Sequence, residues 1–321
     1  MSINDNIFVV IAAAAVTYGT PLVFAALGEI LAERSGVINL GVEGMMLLGA
    51  VGASWVATDL GGPAGVVLPI AILVAMAFAA AGALIHAVLT ITLRVNQIIS
   101  GLALTIFAGI AGVSSYLAGI WNLGRGPVPN QFDSLDLFGL GKAPIVGPIV
   151  FDQNALTYLS WVAVAAVSVY LFRTRLGLNL RAVGESPQTA DSVGIDVVRT
   201  RYVHVLIGGA FAGIAGACFS LAIVPQWVNG MTSGQGWIAL ALVIFGFWRP
   251  DLMLVGAYLF GGLSSLRFTL QARGIDVSSA VLDAIPYLMT IVVLVIVSNS
   301  AARRRLGAPA SLGTPYEREE R

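Results

Sequence analysis

Two polar residues, Asn39 and Glu43, interrupt an apolar stretch of the sequence and are the first candidates for chemistry. They lie four residues apart, so on a helix both side chains would share one face and could line a polar path. A carboxylate inside a membrane span is costly and is by default a functional candidate. The alternative is structural, because Glu43 could instead brace an interrupted helix by accepting backbone N–H bonds from a neighbouring helix.

A second polar cluster stands where another apolar run begins, and its members are Asn96, Gln97 and Ser100. These side chains could line the entrance of a pore, although helix capping explains them equally well. Phe107 follows in the same run, and its ring could stack on a planar ligand or simply pack. We add all four residues to the candidates for a translocation path.

Four further ionisable residues fall within or beside apolar runs. Arg267 and Asp283 stand near the outer ends of adjacent runs, where we expect a structural ion pair. His86 and His204 stand near the opposite ends of their runs, where interface residues are more common than proton relays. None of the four is therefore a leading candidate for function.

The sequence lacks the arrangements typical of enzymes and metal sites. It contains no P-loop, HExxH or GxSxG pattern, and no ordered series of buried carboxylates such as a proton-coupled pump needs. Cys218 is the single cysteine and cannot form a disulfide within the chain. We therefore expect no catalytic residue, cofactor or metal, and an energy source outside this chain.

The composition sets the class of protein. Of 321 residues, 57% are hydrophobic and 11% are charged, far from the roughly 25% charged residues of a soluble domain. The mean hydropathy is +0.88, which indicates an all-α polytopic membrane protein with a single transmembrane domain, residues 1–321. The formal net charge is zero, so we expect no nucleic-acid partner. Met1 to Asn6 contains no basic residue, so the first apolar run is expected to be a retained span rather than a signal peptide.

About nine apolar runs are candidates to cross a membrane of about 30 Å. The second run is preceded or interrupted by Gly36, Gly41 and Gly44, so we interpret it as a broken or re-entrant helix. The seventh has only about half the length of a full crossing. In chain order the runs are Ile7–Leu27, Val37–Ala57, Val66–Leu89, Ile98–Ile120, Leu156–Phe172, Tyr202–Val224, Trp237–Phe247, Leu252–Leu270 and Ala280–Val297.

The basic residues gather in alternate connections, which predicts the orientation in the membrane. The long connection from Trp121 to Asn154 is poor in basic residues and is expected outside, as is the N-terminus. Residues 299–321 are expected to form a cytoplasmic tail. The connections expected inside contain Arg34, Arg94, Arg173 to Arg201, Arg249 and Arg303 to Arg305.

The longest basic connection, residues 173–201, contains signals for one short helix. Ser186 can cap a helix that begins at Pro187, and Gly194 can end it with a left-handed turn. The predicted helix, Pro187–Val193, is too short to be stable alone in water. We therefore expect it to lie on a cytoplasmic partner, such as an ATPase, that delivers mechanical work. The alternative is a solvated loop that binds nothing.

A faint duplication points to two weakly related halves. A glycine-rich polar break followed by an apolar run occurs at Gly36 to Ala50 and again at Gly234 to Phe247. Transporters are often built from two related halves whose broken helices meet at a central site. Glycine is also common in packed membrane helices, which is the alternative explanation.

Four stretches of the sequence resemble one transport family. They are GEILAERSGVINLGVEGMMLLGA, VNQIISGLALTIFAG, RAVGESPQTADSVGIDVVRTRY and IPYLMTIVVLVIVS. They resemble the permease subunits of bacterial ABC importers in the branched-chain amino acid and simple-sugar class, and within that class the nucleoside importer permeases. The resemblance runs from about Leu27 to Ser298, and the first and third stretches are its specific part.

The resemblance implies a permease of the bacterial cytoplasmic membrane that pairs with a second, related permease on ABC ATPase subunits. A substrate-binding lipoprotein outside the membrane would supply the substrate. Asn39, Glu43, Gln97 and Ser100 would then lie along the translocation path. Residues 173–201 would be a coupling loop that fits a groove of the ATPase, with Gly184 and Gly194 permitting its turns. The coupling residues would be Gly184, Glu185, Ser186, Pro187, Ala190, Gly194 and Ile195.

Nucleosides are the expected substrates, and simple sugars of the ribose type are the alternative. A self-sufficient channel or ion-coupled carrier would need paired buried charges and no docking helix, so it ranks lower. A subunit that only anchors others would have no use for the polar break at residues 36–44.

Overall fold

A computed structural model describes residues 6–109, 112–272, 278–297 and 307–318. This part of the chain is mostly α-helical, with one short hairpin in which Ser134–Asp136 (β1) pairs antiparallel with Asp152–Asn154 (β2). The α-helices of the described residues are α1 (Ile7–Arg34), α2 (Val42–Asp59), α3 (Ala64–Ala87), α4 (Gln97–Ala108), α5 (Val113–Ile120), α6 (Ala155–Arg173), α7 (Arg175–Glu185), α8 (Pro187–Ser192), α9 (Val197–Cys218), α10 (Gln235–Phe245), α11 (Pro250–Ala272) and α12 (Ser279–Val297). Short π-helical turns extend α3 over Val88–Thr92 and α9 over Phe219–Ile223.

The helices give the chain the character of a multi-pass membrane protein. Within the described residues, five helical stretches are long and apolar enough to cross a membrane. These are Ile7–Arg34, Ala64–Thr92, Gln97–Ile120, Ala155–Arg173 and Val197–Ile223, and shorter apolar helices occupy Gln235–Phe245 and Pro250–Leu266.

Helix α9 lies at the centre of the packing, with α1, α2 and α3 around it. Glycines bring the helices together: a Cβ atom at Gly28 of α1 would lie 2.5 Å from the carbonyl oxygen of Gly208 on α9. A Cβ atom at Gly49 of α2 would lie 2.5 Å from the Cα of Gly213, also on α9. Membrane helices associate through such small residues because lipid offers no hydrophobic drive for helix contact.

Helix α1 extends beyond the predicted end of the first span. We expected a polar connection after Leu27, but α1 continues to Arg34, and Glu29, Glu33 and Arg34 are all buried. Their partners are distant in sequence, so the local pattern could not show them. The indole Nε1 of Trp248, for example, donates to Glu33 at 2.5 Å.

The fourth apolar run is one candidate span, Gln97–Ile120, but it contains two helices. Helix α4 ends at Ala108 and α5 begins at Val113. The hydroxyl of Ser114 donates to the carbonyl oxygens of Ala108 at 2.5 Å and Gly109 at 3.1 Å. It thereby gives a partner to backbone groups that the interruption leaves outside a helical ladder, as a membrane interior requires.

The basic connection is more helical than predicted. Helix α8 confirms the short helix that begins at Pro187, although it ends at Ser192. Helix α7, which precedes it, was not predicted, and its buried face includes Leu180 and Val183. The short seventh run is confirmed as α10, which begins after Gly234.

Some sequence-based expectations fall outside the described residues. Arg303 to Arg305 and the side chains of Arg267 and Asp283 belong to this group.

Candidate functional site

A non-helical segment, residues 35–41, separates α1 from α2, as the glycine pattern predicted. Its backbone groups find partners on α3 and α4. The Oε1 of Gln97 accepts the N–H of Ile38 at 2.7 Å, the Nε2 of His86 lies 3.0 Å from the Ile38 carbonyl oxygen, and the hydroxyl of Thr105 donates to the Leu40 carbonyl at 3.0 Å. These polar side chains therefore stabilise an interrupted backbone inside an apolar protein.

Asn39 lies in this segment and not on a helix, so the prediction that it shares a helical face with Glu43 is wrong. Its Nδ2 donates to Glu29 at 2.9 Å, and its Oδ1 accepts the N–H of Gly41 at 3.1 Å. The glycines of the segment, with Gly36 at φ +91°, prevent the regular helix that the prediction assumed.

The polar cluster at the start of α4 has identifiable structural contacts. Asn96 is the N-cap, and its Oδ1 accepts the N–H groups of Ile98 and Ile99 at 3.0 and 3.1 Å. The hydroxyl of Ser100 lies 3.0 Å from the Nδ1 of His86. Ser100 thereby orients the imidazole that contacts residues 35–41.

Glu43, in the first turn of α2, binds the N-terminus of α10. Its Oε1 accepts the hydroxyl of Thr232 at 2.6 Å and the N–H of Gly234 at 2.8 Å. Its Oε2 accepts the N–H of Gly236 at 2.6 Å. The structural alternative for Glu43, a brace that accepts backbone N–H bonds from a neighbouring helix, is present in the structure.

The ends of three helices, α2, α4 and α10, meet beside Glu43. Helix α10 has 11 residues and is therefore about 16 Å long, about half the thickness of an apolar layer of about 30 Å. A cavity of about 420 Å³ beside Glu43 joins the starts of α2 and α10 to the end of α4. Its lining residues are Glu43, Leu47, Thr105, Ile106, Gly109, Gly230, Ser233 and Gly234.

Phe107 does not line this cavity. It lies on the outer face of α4 and is 54% exposed. Ile106, its neighbour, is 77% exposed and also reaches the cavity. The exposed face of α4 thus adjoins the cavity beside Glu43.

The second candidate site is the end of the protein that carries α8. Ser186 caps α8 by accepting the N–H of Thr189 at 3.4 Å. Pro187 and Ala190 form the buried face of the helix. Gly194 has φ +85°, in the left-handed region that glycine favours, and Ile195 donates its N–H to the Ala190 carbonyl at 3.0 Å.

Gly184 differs from the expectation that it permits a turn, because it lies within α7. A Cβ atom there would lie 2.3 Å from the carbonyl oxygen of Arg34. Gly184 therefore allows close approach between α7 and the end of α1. Glu185, the last residue of α7, is exposed.

Comparison with known proteins shows the family of this chain. Residues 11–296 match the family described as the permease component of the branched-chain amino acid transport system. The chain belongs to this permease family. The permease matches no solved structure.

Relatives of the permease cover nearly its whole length. It is 40% identical over 331 residues (95% of this chain, 97% of the relative) to a Haloferax volcanii protein provisionally described as the glucose ABC transporter permease protein TsgC13. It is 34% identical over 322 residues (98% and 99%) to the guanosine ABC transporter permease protein NupQ of Bacillus subtilis. It is 35% identical over 315 residues (97% and 98%) to the nucleoside ABC transporter permease protein NupC of Lactococcus lactis subsp. cremoris.

Residues 307–318 of the permease, here called the C-terminal segment, pack onto the α8 end. From the sequence we predicted only a cytoplasmic tail here, without any contact. The N–H and the hydroxyl of Ser311 donate to the Gly184 carbonyl at 2.9 and 2.7 Å, and the N–H of Gly313 donates to the Gly36 carbonyl at 3.1 Å. Arg34 also reaches the segment, donating to the Gly307 carbonyl at 3.0 Å.

Arg201 is a buried cation at the same end of the permease, with 1% of its surface exposed. Its Nε donates to the Ser35 carbonyl at 3.1 Å, and its Nη1 donates to the Thr314 carbonyl at 3.2 Å. The sequence presented Arg201 as one of several basic flanking residues. The signal in the sequence was its spacing, because Arg201 lies four residues from both Val197 and Val205 and so shares their buried face of α9.

Proposed function

We propose that this permease is the membrane subunit of an ATP-driven ABC importer that carries nucleosides across the bacterial cytoplasmic membrane. Its partners are ABC ATPase subunits, a second related permease and a substrate-binding lipoprotein outside the membrane. The observation that carries the proposal is full-length similarity to two proteins named as guanosine and nucleoside ABC transporter permeases, at 34% and 35% identity.

The proposed translocation path passes the level where α2, α4 and α10 are interrupted. Discontinuous helices near the middle of the membrane form the substrate sites of many transporters. Glu43 borders the path through the cavity beside it, and Phe107 faces the second permease from the exposed side of α4. The other candidate path residues act by holding the interruptions in place, and these are Asn39, Asn96, Gln97 and Ser100.

The proposed orientation puts the α8 end in the cytoplasm and the N-terminus outside, with about nine crossings. The basic residues that support this orientation include Arg34, Arg94, Arg181 and Arg249. Helix α8 then docks in a groove of the ATPase. Its short length supports this role, because six residues form a marginal helix without a surface to lie on.

Coupling residues fall into two groups in this proposal. Gly184, Pro187 and Ala190 pack α7 and α8 against the permease. Ser186 and Gly194 begin and end α8. The exposed Glu185 meets the ATPase, together with the half-buried Ile195, which also packs on the cluster of Val183, Ala190 and Val197. Motion of the ATPase would thus move a small, capped helix as a unit.

A simple sugar is the second candidate substrate, because the 40% identical relative is described as a glucose ABC transporter permease. The two substrates can be separated by measuring ATP-dependent uptake of tritiated guanosine and of labelled glucose into liposomes that contain the purified transporter. Uptake of guanosine that excess glucose does not reduce would support the nucleoside proposal. Uptake of glucose alone would show that the substrate is a simple sugar and not a nucleoside.

The assembly itself is tested by mild detergent purification of the tagged permease from its native host. Recovery of an ABC ATPase and a second permease is the expected result. A permease that purified alone and moved solute without ATP would contradict the proposal and favour a self-sufficient carrier. A permease with Ala190→Glu is the matched negative control, since a carboxylate on the buried side of α8 should displace the helix.

A further inference from the structure

The C-terminal segment joins the two candidate sites. We propose that Ser311 and Arg201 are positioning residues that link α7 and α8 to the non-helical segment 35–41, so that movement of α8 reaches the interrupted helices in the membrane. This inference rests on the proposed coupling role of α8. It assigns a role in transport to a segment that lies beyond the matched family region, residues 11–296.

Ser311 is the contact with α7. Both its N–H and its hydroxyl donate to the carbonyl oxygen of Gly184, and only 8% of the residue is exposed. On the other side of Gly184, the Arg34 carbonyl leaves no space for a Cβ atom. The last turn of α7 is therefore held between α1 and the C-terminal segment.

Two residues further along, the segment contacts the interruption of the membrane helices. The N–H of Gly313 donates to the carbonyl oxygen of Gly36 at 3.1 Å. Gly36 stands at the start of the non-helical segment that leads to Glu43, which in turn holds α10. Hydrogen bonds and covalent chain thus run continuously from the end of α7 to the start of α10.

Arg201 completes the same junction from α9. Its three donors reach the Ser35 carbonyl, the Thr314 carbonyl and, at 3.5 Å, the hydroxyl of Ser311. No ion pair among the described residues includes Arg201. Burial of a cation against neutral oxygens is costly. We therefore infer that the rigid, planar guanidinium holds the three oxygen atoms in fixed positions and does not neutralise a charge.

The far end of the segment touches α8 itself. Tyr316 packs against the buried cluster of Val183, Ala190 and Val197, and the guanidinium of Arg318 lies 3.4 Å from the Asp191 carboxylate. A movement of α8 would therefore displace the C-terminal segment directly, and also indirectly through α7. The C-terminal segment therefore contacts α8 through Tyr316 and Arg318, and the non-helical segment 35–41 through Gly313.

The test uses the complete purified transporter in liposomes, with Ser311→Ala in the permease. The quantity measured is substrate taken up per ATP hydrolysed, with tritiated guanosine or labelled glucose as the probe, whichever the wild-type transporter carries. We expect this ratio to fall about fivefold, because the hydroxyl donates to the Gly184 carbonyl and accepts from Arg201, while the backbone N–H of residue 311 still donates to Gly184. Ser265→Ala is the matched control, because its hydroxyl is also buried and donates to the Gly262 carbonyl at 2.8 Å within its own helix.

A second readout does not depend on the substrate. Cys218, the single cysteine, is buried, so Ser233→Cys adds one accessible thiol beside the cavity near Glu43. In the wild-type background its rate of maleimide labelling should change when ATP and vanadate are added. With Ser311→Ala, or with Arg201→Lys, that change should be lost although the ATPase remains bound.

The possible outcomes are distinct. A bound, active ATPase with lost uptake and a lost labelling change supports the proposal. An unchanged ratio of uptake to hydrolysis overturns it. Loss of the ATPase from both the Ser311→Ala and Arg201→Lys complexes also overturns it, since the residues would then serve assembly alone. A wild-type permease that retains no ATPase is a different result, because it contradicts the proposed function itself.

Discussion

Glu43 and Gly236 connect the first turns of two helices that lie 193 residues apart in sequence. The carboxylate accepts the N–H of Gly236 at 2.6 Å, and a Cβ atom at position 236 would lie 2.7 Å from the Cα of Glu43. The N-terminus of a helix presents unpaired N–H groups and a positive dipole end, so a carboxylate is a favourable cap. Glu43 therefore fixes α2 and α10 to each other where both begin inside the membrane domain.

Glu43→Gln should destabilise this junction. The amide keeps one acceptor oxygen and presents an NH2 group where the second oxygen accepted a backbone N–H, leaving a buried donor without a partner. We expect a loss of about 2–3 kcal/mol, measured as a lower thermal unfolding temperature of the permease in detergent.

Glu317→Gln is the matched control, because Glu317 pairs with Arg94 at 2.8 Å on the surface. An exposed pair of this kind contributes less than about 1 kcal/mol. If Glu43→Gln unfolded at the wild-type temperature while uptake fell, the carboxylate would act on the substrate and not as a brace.

Gly236→Ala tests the close approach of the same two helices. Alanine favours a helix over glycine by up to about 1 kcal/mol, but here its Cβ would meet Glu43 atoms at 2.7 to 2.8 Å. We expect a net loss of about 1–3 kcal/mol in the same unfolding assay. Gly119→Ala, in α5, meets no atom within 4 Å and should be neutral or stabilising. Equal effects of the two changes would show that the helix starts are not tightly packed.

The sequence predicted the break between α1 and α2 because its causes are local. Glycines at 36, 41 and 44 and the polar residues among them all lie within nine residues of one another. The break between α4 and α5 also has glycines beside it, Gly109 and Gly112, which our prediction of one run over Ile98–Ile120 did not use. A Cβ atom at Gly112 would lie 1.9 Å from the Phe107 carbonyl oxygen, so the break needs a glycine there. The Ser114 hydroxyl then donates to the Ala108 and Gly109 carbonyls, and both helices pack beside α2.

The misplaced end of α1, in contrast, has a cause that is not local in sequence. A cluster of charge after Leu27 is typical of a connection, and only the fold supplies Asn39, Trp248 and the C-terminal segment as partners for it. Helix α7, by contrast, could have been predicted. Its buried residues Gly177, Leu180, Val183 and Gly184 follow the spacing of an amphipathic helix.

Asn39→Asp should destabilise the permease, because Asn39 uses its amide NH2 group as a donor. The Nδ2 of Asn39 donates to Glu29 at 2.9 Å, so aspartate would replace this donor with an acceptor beside another carboxylate in a buried site. We expect a loss of about 2–4 kcal/mol, seen as reduced yield and a lower unfolding temperature.

Asn96→Asp is the control with the same chemical change. Asn96 caps α4 through its side-chain oxygen, which accepts two N–H groups at the start of the helix. Aspartate caps helices as well as asparagine does, so stability should stay within about 0.5 kcal/mol of wild type. A large effect of Asn96→Asp together with a small effect of Asn39→Asp would reverse the roles assigned to the two residues.

Gly194→Val tests whether the end of α8 matters for coupling through its backbone. Gly194 has φ +85°, and a Cβ atom there would meet nothing within 4 Å. Space in the permease is therefore available, and the penalty comes from the left-handed conformation, which costs an ordinary residue about 1–2 kcal/mol. We expect ATP hydrolysis to persist while uptake per ATP falls, because α8 loses its closing turn.

Two further variants separate the causes of such a defect. Gly194→Asn should retain coupling, since asparagine tolerates the left-handed region, and Gly61→Val, also in open space but without a positive φ, should have no effect. Equal damage from valine and asparagine at position 194 would mean that a side chain collides with the ATPase groove. Full activity of both would remove the closing turn of α8 from the coupling mechanism, because the backbone strain would then have no consequence for transport.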